Sequence, residues 1–79
     1  MKIPANVIET WKADIAEWLE YHHGLPLTAV KTGTDAWAIA HRVGITREAY
    51  NDPTVTDGHI QTALVRIFPN AVFKDCKVY

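Results

Sequence analysis

The sequence contains no serine, which excludes a Ser-His-Asp hydrolase at once. Cysteine is almost as scarce. Cys76 stands alone, so the chain forms no internal disulfide and its fold needs no oxidising compartment. Long apolar runs are missing as well. The longest, Ala36 to Ala40, falls far short of the ~20 residues that span a bilayer. The opening Met1-Lys2-Ile3-Pro4 passes straight into an amphipathic pattern instead of the continuous apolar core of a secretion signal. The expected location is cytoplasmic, with no membrane partner. Four scattered glycines compose no phosphate-cradling loop. Basic charge is sparse too: Glu9 to Glu20 carries net −3 and the rest of the chain +2. That small excess is no clustered footprint for a phosphate backbone.

What remains is a globular composition. Of 79 residues, 48% are hydrophobic and 22% charged, which is enough apolar material to fold and room for one core only. A single domain over 1–79 is expected. A chain this short buries only about 60% of its extended surface, so each amphipathic segment has to contribute.

Val7, Ile8, Trp11, Ile15, Trp18, Leu19 and His22 share one face of a 3.6-residue helix, opposite Glu9, Ala13, Asp14, Glu17 and Glu20. Pro4 suits the first turn and Gly24 the residue past the end, which predicts a helix over 5–23. Pro26 forbids its continuation. Residues 27–32 then read as extended, and Gly33 frees the backbone before Thr34 or Asp35 caps a second helix near 35–43. That helix is apolar almost all round. Ala36, Ile39, Ala40 and Val43 form one stripe, with Trp37 and His41 one turn apart on a neighbouring face. Such a helix belongs at the centre of its domain.

Gly44 suits a left-handed stop, and Ile45 supplies the apolar contact that accompanies one. Thr46 is expected to cap a short turn of helix near 47–51, closed by Asn51-Asp52-Pro53. Thr56 starts a last helix near 56–68, where Ile60, Ala63, Leu64, Ile67 and Phe68 keep strict helical spacing. Val72, Phe73, Val78 and Tyr79 suggest a tail strand, and its internal partner would be 27–32. The expected fold is therefore mainly α: a compact three- to four-helix domain, with a two-stranded element pairing 27–32 with 72–78 as an accessory.

From Ala40 to Tyr50 the chain resembles a helix-turn-helix. Ala40 allows two helices to approach, Gly44 turns, Ile45 fills under the turn, and Thr46 opens the next segment. The resemblance implies a DNA-binding transcriptional regulator, with Arg47 facing the major groove and Arg42 and Arg66 beside it. The pattern departs from that family at Pro53, which stands where a recognition helix of two or three turns would end. A plain helical corner also needs this glycine.

Catalytic and metal chemistry find little footing. His22, His23, His41, His59 and Cys76 fall at no recognised ligand spacing. Adjacent histidines on a helix point about 100° apart, with His22 on the buried stripe and His23 nearer solvent. The carboxylates of the first helix share a convex face rather than a cleft. The expectation is a non-enzymatic module without cofactor that binds a partner protein, with homodimerisation or nucleic acid as the alternatives. Tyrosine and tryptophan are enriched where interfaces are strong. The candidate contact residues are accordingly Trp37, His41, Tyr21 and Tyr50, joined by Glu17 and Glu20 on the acidic face.

Overall fold

The computed structural model describes residues 3–73. In chain order they form α1 (Ala5–His23), a 3-10 turn (Leu27–Ala29), α2 (Gly33–Val43), α3 (Ile45–Ala49) and α4 (Asp57–Ile67). α1 packs on both α2 and α4, and α2 packs on α3 and α4. The mainly helical architecture is the expected one.

α1 begins and ends where its caps dictate. Pro4 is extended, and its carbonyl accepts from the N–H groups of Val7 and Ile8. Gly24 takes the left-handed conformation at φ 63° that a Cβ would strain. Ile8, Trp11, Ile15 and Leu19 are buried, while Val7 and Trp18 pack at the margin of the core. The stripe is narrower than expected. Every residue of the last turn, Glu20 to His23, is exposed, so His22 lies outside the core and instead packs its ring 4.8 Å from that of Trp18.

α4 supplies the other half of the core, with Ile60, Leu64, Ile67 and Phe68 fully buried beside Ala63. Thr56 caps it as expected. His59 completes a reciprocal pair that sequence spacing did not flag: its N–H donates to Thr56 Oγ1, and its Nδ1 accepts from the Thr56 N–H. The Thr56 N–H thereby finds an acceptor, and the His59 N–H is shared between the Thr56 hydroxyl and the Thr56 carbonyl.

α2 starts two residues before the expected position, because Thr32 and not Thr34 or Asp35 is its cap. The Asp35 N–H donates to Thr32 Oγ1 at 3.1 Å. Gly33 then serves close approach rather than conformational freedom. A Cβ at that position would lie 2.7 Å from Phe73 Cδ2 and 3.1 Å from Phe73 Cα, so only glycine admits the returning chain.

The two-stranded element does not form among the described residues. Its place is taken by a single parallel bridge, Thr32 to Val72, in which the Val72 N–H donates to the Lys31 carbonyl and the Gly33 N–H to the Val72 carbonyl. The reason is local. Pro26 feeds a 3-10 turn whose carbonyls at Pro26 and Leu27 accept from Ala29 and Val30, and α2 begins at Gly33, which leaves only residues 30–32 extended between the two helical elements. The remainder of the expected strand, including Val78 and Tyr79, lies outside the described residues, as does Cys76. Asn70 Nδ2 donates to the Thr28 carbonyl and fastens the exit of α4 to the same turn.

The corner after α2 also departs from expectation. Gly44 is left-handed at φ 95°, as its position implies. α3, however, runs over Ile45–Ala49 instead of 47–51 and takes Gly44 itself as its N-cap, without a side-chain cap. The Gly44 carbonyl accepts from the Glu48 N–H. Thr46 is thus inside the helix and 5% exposed, with its hydroxyl released from capping for another partner.

Candidate functional site

That partner is His41. Thr46 Oγ1 and His41 Nδ1 lie 3.1 Å apart and share a hydrogen bond across the corner. The left-handed turn at Gly44 makes this possible, because it folds α3 back along the last turn of α2. A buried hydroxyl needs such a partner, since an unpaired one costs about 1–3 kcal/mol.

The same folding back opens a groove. It is half-open to solvent, about 680 Å3 in volume, and lined by Thr34, Trp37, Ala38, His41, Thr46, Arg47 and Tyr50. α2 supplies one wall through the spacing Thr34, Trp37, Ala38, His41, which is one face of a helix. α3 and the residue after it supply the other wall. The surface is mostly apolar, and its volume falls within the range of ligand and anchor pockets.

Two features of the lining are chemically unsatisfied. Trp37 is 7% exposed, and its indole Nε1 is the buried side-chain polar atom without a hydrogen-bond partner among the described residues. Arg47 is exposed, and no carboxylate among the described residues pairs with it. Tyr50, by contrast, is committed at its hydroxyl, which donates to Asp57 Oδ1. That bond ties the groove wall to the first turn of α4, while 49% of the Tyr50 surface stays exposed.

The candidate residues read from sequence divide among neighbouring depressions. Trp37, His41 and Tyr50 meet in the groove. Arg42 lines a second depression of about 440 Å3 with Trp18, His22, His23, Ala38 and Ile39. Glu17 and Tyr21 line a third of about 280 Å3 with Asp14, Trp18, His22 and Val43. Ala38 belongs to the first two and Trp18 to the last two, so the three form one band around the α1–α2 side. Glu20 is exposed and borders none of them. Tyr21 is 83% exposed, with its ring edge-on to His22.

The three arginines do not gather into one face of this band. Arg47 borders the first depression and Arg42 the second, whereas Arg66 sits on the exposed side of α4 and borders none. The corner itself has the interior of a helix-turn-helix, with Ala40 and Ile45 both buried. Its second helix spans five residues, well short of two turns.

The sequence groups Trp37, His41 and Tyr50 as candidate contacts and sets Arg47 apart on a DNA-facing side, but it does not point to Thr34, Ala38 and Thr46 as groove residues. Helical spacing from Trp37 could have found Thr34 and Ala38, which lie three residues before it and one after it on the wall. Thr46 gave a misleading signal, because a threonine after glycine reads as a cap. His22, His23, His41 and His59 do not converge, and no three His, Cys, Asp or Glu side chains among the described residues gather at metal-binding range. No described helix is long and apolar enough to cross a membrane. The chain matches no protein-family model, no curated protein and no solved structure.

Proposed function

We propose that the protein is a non-enzymatic interaction module that docks a partner protein in the groove between α2 and α3. The observation that carries this is the groove itself: apolar walls, with a buried indole N–H that has no acceptor and an exposed guanidinium that has no counter-charge among the described residues. Among the described residues its lining offers a single imidazole, whose Nδ1 is engaged by Thr46, and contains no carboxylate or thiol. Such a set suits contact rather than proton transfer or nucleophilic attack. Tyr50, Trp37 and Arg47 are also the residue types that dominate binding energy at interfaces.

The test is capture from the native host by the tagged chain, read by mass spectrometry, beside the double variant Tyr50→Ala with Arg47→Ala. A protein retained by the wild type and lost by the variant is the expected result. Capture that ignores both substitutions overturns the assignment of the groove. The buried Ala40 and Ile45 about a left-handed Gly44 support a second reading, a DNA-binding regulator using Arg42, Arg47 and Arg66. Recovery of nucleic acid without protein, with retention falling steeply as salt rises, would favour it.

A further inference from the structure

Resting on the docking reading, we propose that the occupant of the groove is an extended acidic segment of the partner. Its apolar side chain lies against Trp37 and Ala38, a carboxylate beside it pairs with Arg47, and one of its main-chain carbonyls accepts from Trp37 Nε1.

Each element of that occupant answers a feature already described. The walls are mostly apolar, so the anchor is apolar. The lining carries a cation and no carboxylate, and no described carboxylate pairs with that cation, so the complementary charge is negative. A guanidinium presents a planar fork of donors that a carboxylate matches in two bonds. Trp37 Nε1 is a donor only and lacks an acceptor among the described residues. The carbonyls of a helical ligand are already engaged within the helix, whereas an extended segment has carbonyls to offer. Less than 1 Å2 of the nitrogen is exposed, so the acceptor reaches it only as a neighbouring side chain moves aside. The Trp37 indole N–H therefore reports on occupancy of the groove.

A second copy of this chain fits less well. The dense acidic stretch, Glu9 to Glu20, is held in α1, where its carbonyls are occupied by the helix. A nucleic acid would bring the negative charge, but Arg42 borders a different depression and Arg66 borders neither.

The experiment uses the whole chain, 15N-labelled, and three capped peptides as probes: acetyl-Gly-Leu-Glu-Gly-amide and its Gln and Lys counterparts. The side-chain indole N–H signals of Trp11, Trp18 and Trp37 are resolved in one spectrum, and Trp37→Phe identifies the third. The Glu peptide is expected to move the Trp37 indole signal saturably and leave that of Trp11 in place. Replacing Glu by Gln weakens binding by about tenfold, the scale of one charge-assisted hydrogen bond, and Lys weakens it further. In Arg47→Gln the Glu and Gln peptides bind equally, while the backbone spectrum stays that of the folded chain.

Equal binding of the Glu and Gln peptides to the wild type overturns the acidic assignment. So does the absence of any saturable Trp37 shift at millimolar peptide. If the peptides fail while Tyr50→Ala with Arg47→Ala still abolishes capture of the native partner, the occupant is misassigned and the docking reading stands. If capture is also indifferent to those substitutions, both fall.

Discussion

The α1–α4 interface and the α2–α3 corner are built by opposite rules. Between α1 and α4 the buried side chains are Ile8, Trp11, Ile15, Leu19, Ile60, Ala63, Leu64, Ile67 and Phe68, apolar throughout. At the corner the buried set mixes Ala40, Ile45 and Ala49 with the Thr46 hydroxyl and the Trp37 N–H. The first region spends its buried surface on cohesion alone. The second accepts polar atoms inside and keeps a groove open between its helices. On the docking proposal, cohesion and recognition are separated in space within a very short chain, and substitutions in the two regions should separate in the same way.

The largest effect is expected in the cohesive half. Phe68 is fully buried where α4 ends, so Phe68→Ala removes an aromatic ring and leaves a cavity. It should cost about 3–5 kcal/mol in a urea titration, a large share of what a domain of this size possesses. Val65→Ala, on the exposed side of the same helix, should stay within about 0.5 kcal/mol. Comparable losses from the two would mean that α4 does not contribute to the core through the face that carries Phe68.

Next in size is a pair of glycines whose substitutions should differ in sign. Gly33→Ala drives a methyl into Phe73, including its Cα at 3.1 Å, and backbone yields less readily than a side chain. A loss of about 1–3 kcal/mol is expected. At Gly58 the nearest atom to an added Cβ is Thr56 Oγ1 at 3.6 Å, an ordinary contact. Gly58→Ala should therefore leave stability unchanged or raise it by up to about 1 kcal/mol. The two unfolding midpoints, measured side by side, test whether the 72–73 segment is held against the start of α2.

These glycines also mark where sequence stops speaking. α1 and α4 were legible because a stripe repeats every three or four residues, and an apolar stripe has only one use. Gly24 and Gly44 were legible because a helix end demands a left-handed residue. Gly33 was not, because its need arises from Phe73, forty residues away. The same holds for Thr46. Its sequence neighbourhood favours a cap, and only the folding of α3 along α2 reveals His41 as the partner. The groove was visible as residues and invisible as a site, since Thr34, Trp37 and Ala38 meet Arg47 and Tyr50 only across the turn.

Within the corner, Thr46→Val tests whether the buried hydroxyl is structural. It keeps the shape and removes the bond to His41, which should cost about 0.5–1.5 kcal/mol. His41→Ala should cost a similar amount, and the double variant little more than either alone. Full additivity in that cycle would mean that the two side chains do not act as a pair and that the corner is held by apolar contacts alone.

The smallest effect lies at the edge of the corner, in the loop that carries the chain from α3 to α4. Asp52 Oδ1 accepts from the Thr54 hydroxyl at 2.7 Å and from the Thr54 N–H at 2.9 Å. Those two bonds favour the charged carboxylate and hold it below its ordinary value of 3.8. A carboxyl whose folded value is depressed stabilises the fold fully above its unfolded value, and that contribution is lost as pH falls through the folded one. Asp52→Asn retains a carbonyl oxygen for Thr54 but has no charge to titrate. The urea midpoint of the wild type should therefore exceed that of Asp52→Asn near neutrality, and the gap should narrow only below about pH 4. The group is solvent-exposed, so the gap should be smaller than any of the losses above. A gap that instead widens on acidification would require Asp52 to be better off protonated, which two donors at one carboxylate oxygen do not allow.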